Sequence, residues 1–513
     1  MNLSDDARAV RELRAAVATA RPETIAQTAI HNIWPLFSCA FDELIQAIES
    51  LPSTVLERYP TLRAIHPITP VLARTNRPFK PLLYPADADS MSSDELDILL
   101  LVQMVAFRFS GDVAAAVIYA RRLEERIAGA RVDTRERIDG PLWYYHHQIG
   151  STLLAAGDSA TALREFATAR QIGRIARRPD AERLALGRTA LAHAARGSLD
   201  DAELALAELE LQPRPSSAHE SAARATERTA RALIAVERWS PDADEACAQL
   251  EPYDSLELTW PFALLARARA LIADQRADEA LEAVRLARDA HPDQHGSFAS
   301  DVIAASTIAA LCALGDATAA QHVVEHSSRS GLLTRFAIAR HALLAAQPVT
   351  AARELRQLRE MPLGPTQRAE LVLLTAWLER VRAGSINAEI AVQIARIASR
   401  SGARRLLTTM PAQLVAEVRA QLAPDEAETF DAAIGTLTFI DAPHRPHLTS
   451  SERRVLSALA RYATIAEIAV AFHVSPNTVK SQLASIYRKL GCASREEAMR
   501  FASRLHLIDV AEA

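Results

Sequence analysis

A repeated spacing of small and bulky apolar residues runs through the chain from about residue 100. In each copy, a larger apolar residue follows a small one by three positions, and a turn separates them from an alanine and a bulky residue four apart. The clearest copy consists of Gly150, Leu153, Gly157, Asp158, Ala162, Phe166 and Ala169. Small residues at such positions let two helices approach closely, and a Gly-Asp pair provides the tight turn between them. The pattern therefore predicts successive pairs of packed helices.

Further copies of this pattern follow one another at a spacing of about 40 residues. They lie near Ala190, Ala268 and Ile308, with a weaker copy near Ala339 and an early one near Met104. The spacing exceeds the roughly 34 residues of a standard tetratricopeptide repeat, and the characteristic Trp and Tyr are mostly missing. We therefore interpret residues 1–440 as a TPR-like helical repeat array and predict a curved solenoid. A plain bundle of amphipathic helix pairs is the alternative.

A break in the helical pattern separates this array from a short C-terminal segment. Residues 441–447 contain two prolines within four positions, where a helix cannot continue. We predict that they form an interdomain linker and that residues 448–509 form a separate domain. The region before residue 100 is also predicted to be helical, with Ser92 and Glu95 as a capping box.

The C-terminal segment carries start signals for four short helices. Three capping boxes pair a hydroxyl with a carboxylate three residues later, and a further helix starts at Ser475, where Pro476 takes the first helical position. The boxes are Thr449 with Glu452, Thr464 with Glu467, and Ser494 with Glu497. Residues 473–475 then form the short turn of a helix-turn-helix.

The helix that starts at Pro476 has one apolar face and one polar face. Its apolar stripe consists of Val479, Leu483, Ile486 and Leu490. Its opposite face presents Asn477, Lys480, Ser481, Ala484 and Arg488 to solvent. A helix with short polar and basic residues near its N-terminus is suited to the major groove of DNA, while the preceding helix packs across it.

Composition supports an all-α fold and shows an uneven charge distribution. The chain has only 16 glycines and 5% aromatic residues, and it is rich in Ala, Leu, Arg and Glu, which favour helix. Its formal charge is −5, yet residues 447–507 hold nine Arg or Lys and four Glu, so this segment is +5 and the remainder is −10. A basic domain on an acidic body indicates a polyanionic partner, although a solvated charged face is the alternative.

About 60 residues from Leu448 resemble the helix-turn-helix domain of LuxR-family regulators. The matching positions are Leu448, Thr449, Glu452, Val455, Leu456, Glu467, Ile468, Ala469, Val474, Ser475, Thr478, Val479, Lys480, Ile486, Lys489, Leu490, Gly491, Arg495, Glu497 and Ala498. The resemblance implies base-edge contacts by Lys480, Ser481 and Ala484. It implies phosphate contacts by Thr478, Arg488 and Lys489. The chain departs from the family at Ser451, Tyr462, Ile465 and Gln482, which bears on the preferred DNA sequence and not on the fold.

The remaining predictions for this domain concern its other DNA contacts and its assembly. The predicted DNA-binding set is completed by Thr464, Asn477, Val479, Gln482 and Ser485. The last helix places Ala498, Phe501 and Ala502 on one face, and we predict that this small patch contributes to a homodimer on DNA. The half-sites would then lie about one helical turn apart. The alternative is that Phe501 closes the four-helix core.

Several other classes of function are not expected. A phosphate-binding Gly-x-x-x-x-Gly-Lys-Ser/Thr loop is missing, and Lys80 has no glycine nearby, so the chain looks like a large maltose-regulator-like LuxR protein without its ATPase domain. The four cysteines lie far apart, and His146 and His147 point about 100° apart on a helix, so no metal site is expected. No nucleophile, base and orienting group occur together. We therefore expect no enzyme activity and no cofactor.

The predicted function combines the two regions. No apolar run reaches the roughly 18 residues of a membrane span, and the N-terminus is acidic where a signal peptide is basic, so a cytoplasmic protein without membrane contact is expected. We predict a transcription regulator that binds double-stranded DNA and whose repeats sense a small-molecule or protein effector. The alternative is a helical-repeat interaction scaffold with a C-terminal module that does not bind DNA.

Overall fold

The computed structural model describes most of the chain and shows only helices there. The described residues are 3–66, 92–129, 141–214, 217–255, 258–292, 294, 297–328, 331–399, 401–435, 437–439, 448–490, 492 and 494–504. These residues form 29 α-helices and no β-strand. The prediction of an all-α fold is therefore confirmed.

The helices fall into groups along the chain. The N-terminal helices are α1 (Leu3–Ala18), α2 (Pro22–His31), α3 (Ile33–Cys39), α4 (Phe41–Glu49), α5 (Ser53–Leu56) and α6 (Pro60–Ile65). The next eight are α7 (Ser93–Phe109), α8 (Val113–Gly129), α9 (Leu142–Ala155), α10 (Ser159–Ile175), α11 (Pro179–Arg196), α12 (Leu199–Glu210), α13 (Ser217–Arg238) and α14 (Ala243–Ala248). They are followed by α15 (Trp260–Ala273), α16 (Ala277–Ala290), α17 (Phe298–Ala313), α18 (Ala317–His326), α19 (Leu332–Leu344), α20 (Pro348–Arg359), α21 (Pro365–Ala383) and α22 (Ala388–Ala398).

Shorter helices complete the chain. A 3-10 turn (Ser401–Ala403) leads into α23 (Arg404–Thr408), α24 (Ala412–Gln421) and α25 (Pro424–Ile434). The C-terminal helices are α26 (Ser450–Arg461), α27 (Ile465–Ala471), α28 (Pro476–Leu490) and α29 (Arg495–Arg504). Nothing in the described parts of the chain is both long and apolar enough to cross a membrane as a helix.

The turns within the helix pairs follow one design. Gly111, Gly157 and Gly315 have φ values of 87°, 88° and 73°, and each is followed by an aspartate. Each aspartate carboxylate accepts a hydrogen bond from the backbone N–H three residues later, at 3.0 to 3.1 Å. The predicted Gly-Asp turns are confirmed. Four comparable turns place a residue other than glycine in the left-handed region, namely Arg177, Trp239, Gln275 and Ala346, which explains why the sequence pattern weakens there.

Successive helix pairs stack on one another from α7 to α21. The first helix of each pair contacts both its own partner and the first helix of the next pair, as α9 contacts α10 and α11. Gly150 of α9 lies so close to α10 that an added Cβ would come within 2.7 Å of the Phe166 ring. The close helix approach predicted from these two residues is therefore present.

Contacts between distant parts of the chain tie this array together. Glu237 of α13 is 1% exposed and forms salt bridges with Arg269 of α15 at 2.6 Å and Arg405 of α23 at 2.9 Å. The Thr366 hydroxyl of α21 donates to the Gly197 carbonyl at 3.0 Å. In an open solenoid each repeat contacts only its neighbours. The array is thus more closed than the repeat pattern indicates, and the TPR-like solenoid stays a prediction.

The four C-terminal helices have a hydrophobic core of their own. It is built from Leu448, Val455, Leu456, Ala458, Leu459, Ile468, Ala469, Val479, Leu483, Ile486, Leu490, Ala498 and Ala502. The main contacts of α26 to α29 are with one another. The predicted linker, residues 441–447, lies outside the described residues, so the domain boundaries stay predictions.

Candidate nucleic-acid interface

The first two helices of the C-terminal domain begin with reciprocal capping boxes. The Thr449 hydroxyl accepts from the Glu452 N–H at 3.2 Å, while the Glu452 carboxylate accepts from the Thr449 N–H at 2.7 Å. Thr464 and Glu467 form the same pair of bonds, both at 3.2 Å. These bonds satisfy N–H groups that have no partner within the helix. Two of the three capping boxes predicted for this domain are thus present as reciprocal pairs. At the third, the Ser494 hydroxyl accepts from the Glu497 N–H at 3.1 Å.

A tight turn joins α27 to α28 and sets their relative orientation. His473 has a φ of 53°, and the Val474 N–H donates to the Ala469 carbonyl at 3.0 Å. This is the geometry that usually ends a helix with glycine. The Ser475 hydroxyl then accepts from the Thr478 N–H at 3.1 Å and starts α28. The connection has the short length that a helix-turn-helix requires.

The polar face of α28 is open to solvent, as the sequence predicts. Its exposed side chains are Asn477, Thr478, Lys480, Ser481, Ala484 and Arg488. The buried side chains of the opposite face are Val479, Leu483, Ile486 and Leu490. Val479 belonged to the predicted DNA-binding set, but the whole residue is 0% exposed and its N–H donates to the Ser475 carbonyl at 3.2 Å, so it is not available to DNA. Thr464 is exposed at the start of α27, where its hydroxyl serves the capping box.

Three residues of the predicted DNA-binding set are held by contacts to the start of α26. Lys489 Nζ forms a salt bridge with Glu452 Oε2 at 2.7 Å, and Gln482 Nε2 donates to Ser451 Oγ at 2.8 Å. Burial acts to raise the pKa of the Glu452 carboxyl, but hydrogen bonds from Lys489, the Thr449 backbone and Ser485 outweigh it and lower the pKa to about 2. These contacts hold the side of α28 that carries Gln482, Ser485 and Lys489 against α26.

The patch predicted for dimerisation is largely used inside the domain. Ala498 and Ala502 of α29 are both 0% exposed and belong to the core shared with α26 and α28. Two of the three residues assigned to a dimer contact therefore cannot contact a second copy, because they pack against their own chain. The side chain of Phe501 lies outside the described residues.

Two basic residues have structural contacts that the sequence reasoning missed. The Arg495 guanidinium donates to the carbonyls of Leu459, Tyr462 and Ala463, at 2.5 Å for Leu459 and 2.6 Å for Ala463. It thereby caps the end of α26 and joins α29 to it. Arg454 lies 4.6 Å from the centre of the Phe472 ring and is exposed. Arg495 lies at the start of α29, 32 residues after Ala463, so no local sequence signal could have identified this contact.

Comparison with known proteins places this domain in a family. Residues 446–502 match the family model described as bacterial regulatory proteins, luxR family. The chain is also 40% identical over 68 residues to proteins named "Probable transcriptional regulatory protein NarL" from two strains of Mycobacterium tuberculosis, CDC 1551 / Oshkosh and ATCC 25618 / H37Rv. The match covers 13% of this chain and 32% of each relative. The C-terminal domain is therefore a helix-turn-helix domain of the LuxR family of bacterial regulatory proteins.

Proposed function

We propose that this protein is a transcription regulator that binds double-stranded DNA through α28. The observation that carries the proposal is the polar and basic face of α28, exposed over its first turns and held rigidly by the capped helices α26 and α27. A helix presented in this way reads base edges in the major groove. The likeness of residues 446–502 to bacterial regulators supports the same conclusion.

The residues of α28 divide by the reach of their side chains. Lys480 and Ser481 are exposed one turn into the helix, with Ala484 on the next turn, and we assign these three to base edges. Thr478 and Arg488 are exposed at the two ends of α28 and are assigned to phosphates. Ser481 and Ala484 have little hydrogen-bonding reach, so DNA shape contributes to recognition.

The other residues of the proposed set act at the edges of the contact. Lys489 is assigned to a phosphate, with its ammonium group shared between that phosphate and Glu452. Thr464 and Asn477 are exposed and lie near helix N-termini, where anions are favoured. Gln482 and Ser485 support the helix through α26.

We assign the sensing of an effector to the helical array. A cleft of about 770 Å³ in the array is lined by residues that include Arg196, Arg288, His322 and His326. A cleft of this size is typical of sites for small molecules. The effector is thus proposed to bind a region separate from α28. A regulator of chromosomal DNA of this kind acts in the cytoplasm.

We also propose that the protein binds DNA as a homodimer, without the contact between copies that was predicted for Ala498 and Ala502. Two α28 helices on neighbouring major-groove faces would contact half-sites about one helical turn apart. Since Ala498 and Ala502 are buried in each domain, DNA itself holds the two copies in register. Protection of two half-sites in a footprint, lost when their spacing changes by about five base pairs, is the expected result.

Charge reversal at Lys480 tests the DNA-binding proposal. Lys480→Glu places a negative charge against a phosphate or a guanine edge. We therefore expect its affinity for a promoter fragment that the unmodified protein binds to fall on the order of 10- to 100-fold. The side chain is exposed, so the fold should be unchanged by circular dichroism. The measurement is a titration of labelled promoter DNA at fixed, moderate salt.

A matched variant separates groove contact from a general change in charge. Arg121→Glu changes the net charge equally at an exposed site on α8 and should leave affinity unaltered. Equal affinity of Lys480→Glu and the unmodified protein would contradict the assignment of α28 to the groove. Binding of promoter fragments no tighter than random DNA would favour the interaction scaffold instead.

A further inference from the structure

A small cavity in the helical array, partly open to solvent, has apolar walls and a charged end. Its volume is about 70 Å³, and it lies between α15, α17, α19, α21 and α23. Leu265, Ile272 and Phe336 belong to its walls. Arg269, Arg340, Arg405 and Glu370 line its charged end. Five helices from separate parts of the array thus contribute to one interior space.

The charged groups at this cavity do not balance. Glu237 lies just behind it and accepts from both Arg269 and Arg405, at 2.6 and 2.9 Å. Arg340 and Glu370 form a second pair at 2.5 Å. Three guanidinium groups therefore share two carboxylates. Among the residues that the structure describes, one positive charge in this cluster has no carboxylate of its own.

Burial makes this excess charge unfavourable. The side chains of Arg340 and Arg405 are 12% and 7% exposed. Among the described residues, neither Arg340 Nε nor Glu237 Oε2 has a hydrogen-bond partner. Burial also lowers the pKa of Arg269, against the opposing effect of Glu237. An ion removed from water without a counter-charge is costly. A bound anion would supply both the missing charge and an acceptor.

We propose that this cavity is a second effector site, besides the cleft of about 770 Å³, and that it binds a small organic monocarboxylate. The carboxylate group would bind the arginine cluster at Arg340 and Arg405, because planar guanidinium groups match carboxylate geometry. A short apolar tail would contact the wall near Leu265 and Phe336. The cavity has room for on the order of five waters at about 15 Å³ each, which suits an acid the size of acetate or propionate.

The position of the site gives the ligand a structural effect. Arg405 belongs to α23, which contacts α13 across the array, and Arg340 belongs to α19. A carboxylate that neutralises these arginines would stabilise the contacts that close the array. The inference names an effector class for the regulator and rests on the proposed function only for any consequence on DNA binding.

Calorimetric titration of the full chain with propionate tests the site, with acetate and inorganic phosphate as further probes and sodium chloride at equal ionic strength as the blank. We expect saturable binding of propionate and acetate. Arg340→Met should weaken it about tenfold or more, since a hydrogen bond to a charged group is lost. The control Arg335→Met removes a salt bridge with the buried Glu354. Arg335 lies on α19, as Arg340 does, and this change should leave propionate binding unchanged.

A second variant tests the site without altering its charges. Ala309→Leu fills the cavity from its apolar wall and should also abolish binding, which covers the case in which Arg340→Met fails to fold. Saturation by phosphate alone, or no saturation by any probe, would overturn the proposal. DNA affinity is measured in parallel without propionate. If the protein binds DNA but no carboxylate, the proposed carboxylate site is contradicted. If it binds propionate but no DNA, the proposed function is contradicted.

Discussion

The C-terminal domain and the helical array are stabilised by interactions of different range. In the domain, Thr449 with Glu452 and Thr464 with Glu467 are capping pairs three residues apart, and the four helices pack mainly on one another. In the array, Glu237 and Arg405 meet across 168 residues of sequence. The domain can therefore form from local signals and a small core, whereas the array depends on contacts that join distant helices.

Charge follows the same division. The domain is basic and carries exposed cations on both α26 and α28, while the array is acidic and buries several of its arginines in salt bridges. An exposed cation is available to a polyanion, whereas a buried one serves mainly packing and closure. The difference indicates that the stability of the domain and that of the array can be changed separately, and substitutions in each region test this.

The largest effect is expected from Glu237→Gln in the array. The change leaves Arg269 and Arg405 buried without their shared carboxylate, so the free energy of unfolding of the array should fall by about 3–5 kcal/mol. All five tryptophans lie between residues 34 and 377, so tryptophan fluorescence during urea unfolding follows the array. Hydrogen exchange of peptides from residues 448–504 should be unchanged.

An exposed pair provides the control for that substitution. Glu210→Gln breaks a salt bridge with Arg231 in which both side chains are about half exposed, and such pairs contribute roughly 1 kcal/mol or less. Faster exchange in residues 448–504 of Glu237→Gln would show that the two regions are coupled and that the comparison fails.

The same difference in range decides what the sequence could predict. The Ser92 capping box, the Gly157 turn and the apolar stripe of α28 depend on residues within one or two helical turns, and the structure has each of them. The bridge between Glu237 and Arg405 has no local signal, because any of the many arginines could serve as partner. A repeat pattern also does not say how strongly the array curves, so its closure was missed.

Within the candidate site, the sequence predicted which side chains of α28 are exposed. It did not predict which residues of α26 contact the side chains at the border of that exposed face. Periodicity alone separates Lys480 from the buried Val479. Whether Lys489 extends into solvent or bends back to Glu452 depends on the crossing of α26 and α28, which periodicity does not determine. Ala498 was assigned to a partner for the same reason, since a small apolar face fits an internal core and a dimer equally well.

A medium effect is expected from Glu452→Gln in the domain, and it should depend on pH. The folded pKa of about 2 lies below the ordinary glutamate value of about 4.3. A depressed pKa contributes stability above the unfolded value and loses it as pH falls toward the folded one. We therefore expect Glu452→Gln to destabilise the domain by about 1–3 kcal/mol at pH 7, with the difference from the unmodified protein shrinking toward pH 2.

Hydrogen exchange of residues 448–504 measures this difference in stability. Labelling times are lengthened at low pH, because amide hydrogen exchange itself is slower there. Glu496→Gln is the control, because Glu496 is exposed in the first turn of α29 and should have little effect at any pH. A difference between Glu452→Gln and the unmodified protein that stayed constant from pH 7 to pH 3 would argue against the charged pair. The array, followed by tryptophan fluorescence, should not respond.

The smallest effect is expected at a turn geometry that both regions share. His473 in the domain and Ala346 in the array have φ values of 53° and 52°, a conformation that costs an L-residue roughly 1–2 kcal/mol. Glycine removes that strain but has more freedom in the unfolded chain, so His473→Gly and Ala346→Gly should each stabilise only their own region, by about 0.5 kcal/mol. Hydrogen exchange follows the first variant and tryptophan fluorescence the second. Ala484→Gly, in the middle of α28, should instead destabilise the domain by about 1 kcal/mol. If His473→Gly also destabilised it, the left-handed turn would depend on the histidine side chain, and the two regions would differ even in their local rules.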